Sequence, residues 1–157
     1  MRPYMDKVMP EAWKAAVAFS AAVRDSAAAQ GVSPGESELI KVRASQVNGC
    51  AFCLDLHSRE ARQAGIPQQK LDVLPAWRES TLFDERERAM LAIAEATSEL
   101  PLSEDAAADL SGALSVLGES TFVAAEWVAI TINTFNRISI LSEHPIRPRD
   151  ADGKPVR

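Results

Sequence analysis

The chain has 157 residues, 46% of them hydrophobic and 25% charged, and carries a net charge of -5. That balance belongs to one globular domain able to bury roughly two thirds of its unfolded surface, and it excludes wholesale disorder and fibrous repeats. The 17 Lys and Arg are interleaved with 22 acids, so no basic face is set aside for nucleic acid or an anionic membrane, and no window approaches the roughly 18 apolar residues of a membrane span.

The opening Met1-Arg2-Pro3-Tyr4 and the Asp6-Lys7 that follow put charge and proline where a signal peptide needs an apolar core, so a cytoplasmic location is expected. The sequence is rich in Ala, Leu and Glu and lacks the alternating apolar runs of strands, which predicts an all-α fold of about six helices in a single domain over 1–157, with a core at about 10–142. A first helix spans Pro10 to Gln30 and stops at Gly31. A second opens at Ser33-Pro34-Gly35-Glu36, a capping box with proline at the first helical position, and runs to Gln46 or so. A third is expected to begin with Asn48 as its cap and to end at Gly65. A short polar helix follows Pro67 and carries Leu71, Val73 and Leu74 toward Trp77. Asp84 and Glu87 form another capping box, leading a helix that ends before Pro101, and Ser103 caps an Ala-rich helix through Leu117. The last helix, from Ser120 or Thr121 to Leu141, is apolar on most of its circumference, as suits a helix buried centrally or between subunits. The segment 143–157, with its prolines, reads as an exposed extension, and His144 as a surface residue within it.

Both cysteines of the chain, Cys50 and Cys53, lie at the start of the third helix with His57 four residues further on. In a reducing compartment such a pair more often serves metal or redox chemistry than a structural disulfide. If residues 49 to 63 are helical, Cys50 and Cys53 are i,i+3 neighbours with Cβ atoms about 5–6 Å apart, near bridging distance. His57 is about 6 Å along the axis from Cys53 and about 10.5 Å from Cys50, so Cys53 is the thiol within easy reach of the imidazole. The helix dipole contributes only about 0.3–1 kcal/mol, less than one pKa unit, so an activated thiol needs His57 beside it. Two other readings stay open on the residues alone. One is a zinc site built from Cys50, Cys53 and His57, with His144 or a carboxylate as fourth ligand; the other is two cysteines packed as small hydrophobes. Attached haem is disfavoured because Leu54, not His, follows the second cysteine, and a thioredoxin-like context is disfavoured because a helix, not a strand, precedes the motif. Asn133, Asn136 and Arg137, polar on an apolar helix, are expected to be buried hydrogen-bonding partners or subunit contacts.

The stretch from Glu38 to Gly65 resembles the AhpD-like branch of the carboxymuconolactone decarboxylase family: a Glu, a C-x-x-C pair twelve residues later, and a His four after the second Cys, matched by Glu38, Cys50, Cys53 and His57. The resemblance continues through Ala76–Ala96 and Ile132–Ile140. It implies an all-α fold assembled as a homo-trimer or homo-hexamer, and a peroxidase that reduces organic hydroperoxides or H2O2 and is recharged by an external dithiol on a lipoylated or thioredoxin-type protein. It makes Cys53 the peroxidatic thiol, Cys50 the partner that closes the disulfide, and Glu38 with His57 the proton relay. It implies no cofactor and no metal. One departure stands out: AhpD proper has a histidine just before the second cysteine, and Phe52 is here. The alternatives are a non-catalytic redox-responsive or metal-binding helical oligomer, and a decarboxylase-type enzyme using His57 as base.

Overall fold

The computed structural model describes residues 2–150 and 153–156. Among them are eight α-helices and one 3-10 turn: α1 Met5–Val8, α2 Pro10–Ala29, α3 Pro34–Asn48, α4 Ala51–Gln63, α5 Gln68–Val73 running into the 3-10 turn Leu74–Ala76, α6 Glu85–Ser98, α7 Glu104–Leu117 and α8 Glu119–Leu141. The described backbone is all-α, as expected. The count exceeds six because two short helices add to the six longer ones: α5, which runs on into the 3-10 turn at Pro75, and a single extra turn, α1, before Pro10. That extra turn is too short to stand alone. It is tied to the end of α8, where the Ser142 hydroxyl accepts the Met5 N–H at 3.1 Å.

The helix starts follow their capping residues. Ser33 Oγ accepts the Glu36 N–H while Glu36 accepts the Ser33 N–H, and Asp84 and Glu87 make the same reciprocal pair at the head of α6. Ser103 caps α7. The junction between α3 and α4 corrects the expectation for Asn48, which is the last residue of α3 and not the cap of α4. Gly49 adopts φ 67°, the left-handed conformation that terminates helices;. The Gly49 N–H reaches the Gln46 carbonyl and the Cys50 N–H reaches the Ser45 carbonyl, the paired bonds of a Schellman closure. Cys50 therefore becomes the N-cap of α4, with its Sγ accepting the Cys53 N–H.

Helix α8 packs against α2, α3, α6 and α7, with α4 touching its far end. One apolar core joins Ile40 and Ala44 of α3, Met90 and Ile93 of α6 and Ala125, Val128 and Ile132 of α8, and both cysteines belong to it. A second lies on the opposite side of α3 and α6, where Leu39, Val42 and Leu91 meet Ala61 of α4, Leu74 and Trp77. α3 is thus buried on two faces, which is why the acidic Glu38 between them is nearly covered. α8 presents a different balance, burying its small residues while Val123, Trp127 and Ile130 remain largely exposed.

Candidate active site

The site is built where α3 ends and α4 begins. Cys50 and Cys53 are joined by a disulfide with Cα atoms 5.4 Å apart, inside the range a bridge requires. Both are buried, at 1% and 3% exposure, whereas Phe52 between them is 38% exposed. An α-helix carries His57 one turn beyond Cys53, and α3, packed alongside, supplies Glu38.

His57 Nδ1 lies 2.9 Å from Glu38 Oε2. A carboxylate only accepts, so Nδ1 carries the hydrogen and donates it. Glu38 uses its other oxygen to receive Lys41 Nζ at 2.6 Å. Glu60, one turn along α4, also reaches His57 Nδ1, at 3.0 Å. Burial opposes the charged imidazolium, but donation to the Glu38 carboxylate, the nearby Glu60 carboxylate and the Glu38 charge together outweigh it. Lys41 returns part of the gain, and the net effect raises the His57 pKa above its ordinary value. The hydrogen bond to His57 in turn lowers the Glu60 pKa against a partial burial cost;.

Lys41 and Glu60 were not foreseen from the sequence. Each sits three residues from a predicted site residue, Glu38 or His57, and i,i+3 spacing on a helix is the signal that would have found them. The alternative zinc set is not assembled among the described residues. The disulfide leaves neither sulfur as a thiolate donor, and His144 packs elsewhere; the groups close enough to share an ion are Glu38, His57 and Glu60. His144 also departs from its expected place on the surface. Its ring meets Phe52 at 5.5 Å between centroids and Tyr4 at 5.2 Å, and Nε2 is 3.3 Å from an Asp6 carboxylate oxygen. The turn after α8 folds back over the head of α4, which a sequence reading of a proline-containing tail does not reveal.

Asn133 and Asn136 of α8 are buried partners, as expected, whereas Arg137 is exposed and joins their network from the surface. Asn48 donates to Asn133 Oδ1 at 2.8 Å and to Asn136 Oδ1 at 2.9 Å, Asn136 donates to Ser45 Oγ, and Arg137 donates to Asn133 Oδ1. This network clamps the last turn of α3, immediately before Cys50, to α8.

Residues 10–96 match the carboxymuconolactone decarboxylase family across more than half of the chain. The chain belongs to that family. It is similar to the uncharacterized protein YdfG of Bacillus subtilis, 36% identical over 103 residues that cover 66% of this chain and 70% of that protein. It is also similar to the uncharacterized protein YnjA of Escherichia coli, 34% identical over 74 residues, 47% of this chain and 41% of that one. The crystal structure of ATU0492 from Agrobacterium tumefaciens, a protein of unknown function provisionally described as an AhpD antioxidant defence protein, superposes with a TM-score of 0.81 at 32% identity over 99% of both chains. Within the family, the full-length fold and the C-x-x-C pair assign this chain to the AhpD-like branch.

Proposed function

We propose that the protein is a thiol peroxidase that reduces organic hydroperoxides, or H2O2, through Cys50 and Cys53, with Glu38 and His57 as the proton relay. One observation carries this reading: two cysteines in disulfide register at the head of α4, with a carboxylate-held imidazole one turn past the second. In the reduced protein His57 takes the Cys53 proton through Nε2, and the resulting imidazolium stabilises the thiolate. The thiolate attacks the terminal oxygen of ROOH, the O–O bond breaks, and the alkoxide takes a proton from the imidazolium to leave as ROH. Cys53 is left as a sulfenic acid. Cys50 attacks its sulfur, water departs, and the disulfide closes. Two thiols are oxidised for each peroxide reduced to an alcohol. An external dithiol, lipoylated or of the thioredoxin type, then reopens the bond. The exposed apolar side chains of α8, Val123, Trp127 and Ile130, suit burial between copies in a homo-trimer or homo-hexamer.

The test is to incubate reduced protein with cumene hydroperoxide and count free thiols and cumyl alcohol. Two thiols lost per chain for one alcohol formed is the expected result; thiols that stay unchanged overturn it. Cys53→Ser abolishes turnover, while Cys50→Ser still consumes one peroxide and stops at the sulfenic acid. The reverse pattern would exchange the roles of the two cysteines. Activity that survives alkylation of both thiols would favour a decarboxylase-type enzyme with His57 as base, and retention of one zinc per chain on Glu38, His57 and Glu60 would favour a metal-binding oligomer.

A further inference from the structure

We propose that Glu60 is a positioning residue of the redox site: together with Glu38 it sets carboxylates against Nδ1 of His57 from two sides and so leaves Nε2 as the nitrogen that exchanges a proton with the thiol pair. The proposal rests on the thiol reading above only for what Nε2 does; the grip on Nδ1 is independent of it.

The geometry carries the argument. Glu38 Oε2 and Glu60 Oε2 stand 2.9 and 3.0 Å from the same nitrogen; the N–H is donated to Glu38, and Glu60 sets a second carboxylate against it from the ring's own helix. With Nδ1 donating to Glu38 and paired with Glu60, Nε2 is, among the described residues, the nitrogen left for proton transfer;. The charges agree with this. Glu38 and Lys41 from α3 and Glu60 from the ring's own helix act on the imidazole, and Arg59 acts one step further out, on Glu60. Two carboxylates and one ammonium leave a single negative charge around a ring whose side chain is only 13% exposed. A protonated His57 cancels that charge; a neutral one leaves it uncompensated. Glu60 thus decides the balance, because without it Glu38 and Lys41 already neutralise each other.

Its place in the sequence fits the task. Glu60 is three residues past His57, on the face of α4 turned toward α3, and its side chain is 41% exposed. It therefore contributes little to packing, and its replacement should leave the fold intact.

The test is an NMR titration of the imidazole Cε1–H signals in the oxidised protein, where the disulfide removes the thiols from the titration. The chain has two histidines, and His144→Gln assigns the signals. Glu60→Gln is expected to lower the His57 midpoint by ~0.5 unit, the scale of a part-exposed ion pair, and Glu60→Asp to restore part of it. Glu38→Gln, which removes the buried partner, lowers it further, by ~1 unit or more. A His57 midpoint in Glu60→Gln within ~0.1 unit of wild type would overturn the proposal. The companion measurement is kcat/KM for cumene hydroperoxide against pH. Its alkaline limb moves down with the His57 midpoint in Glu60→Gln, and an unmoved limb would mean that Glu60 does not act on the reaction. Wild-type protein inert to peroxide but showing the Glu60-dependent midpoint would refute the peroxidase reading while leaving the grip on His57 standing.

Discussion

Asn48→Asp separates two accounts of the residue that precedes the redox motif. Were Asn48 an N-cap, aspartate would replace it at no loss, since the two residues cap equally well. In the structure its amide is a clamp donating to Asn133 Oδ1 and Asn136 Oδ1. The orientation of Asn133 is set elsewhere, since its Nδ2 faces the Ala129 carbonyl, an obligate acceptor, and Asn136 Nδ2 donates to Ser45 Oγ;. Alanine at 48 removes both bonds. Asn133 Oδ1 keeps Arg137 as a donor at 2.8 Å, but Asn136, which has 0% exposure, loses the donor to its Oδ1. One buried acceptor left unmade costs about 1–3 kcal/mol, so Asn48→Ala is expected to lose about 2 kcal/mol in all. Aspartate is worse, because it turns a carboxylate toward two carbonyl oxygens, and its cost should exceed about 3 kcal/mol. Urea denaturation reads both as a lower midpoint at unchanged slope. An aspartate variant as stable as wild type, or an alanine variant losing less than about 0.5 kcal/mol, would refute the clamp.

Gly49→Ala should cost about 1–2 kcal/mol from backbone conformation alone, because φ is 67° and nothing lies within 4 Å of an added Cβ;. The same urea series checks it. The His57 pKa is raised in the folded state, so its stabilisation is fully present below the unfolded value near 6.5 and is lost as pH rises through the folded value;. Stability of the oxidised protein should therefore fall on the alkaline side of 6.5 relative to His57→Gln, and parallel pH profiles of the two would contradict the assignment. Lys41 acts on His57 in the opposite sense to the carboxylates, so Lys41→Met should raise the imidazole midpoint by ~0.5 unit in the same titration. A fall would show that its hold on Glu38 matters more than its own charge.

Much of the molecule is legible in its sequence. Capping boxes at Ser33–Glu36 and Asp84–Glu87 are local chemistry, complete within four residues, and both form as expected. The spacing of Cys50, Cys53 and His57 likewise announces a site, since residues at i,i+3 and i,i+4 on one helix meet whatever the rest of the chain does. The sequence was ambiguous where two local rules competed. Asn48 suits a cap and Gly49 suits a helix end; the glycine prevails because the Asn48 side chain finds better partners on α8, 85 and 88 residues away.

The all-α class, the helix starts set by capping boxes and the presence of a thiol–imidazole motif were determined by the sequence alone, because each depends on bonds between near neighbours. Tertiary structure decided the rest. Packing of α3 against α4 brought Glu38 to His57 and added Lys41 and Glu60 to the same charge cluster. The fold-back after α8 carried His144 from a proline-containing tail to the ring of Phe52. The Glu38–His57 and His144–Phe52 contacts join residues far apart in the chain, and their energies come from burial and charge pairing that no local pattern records.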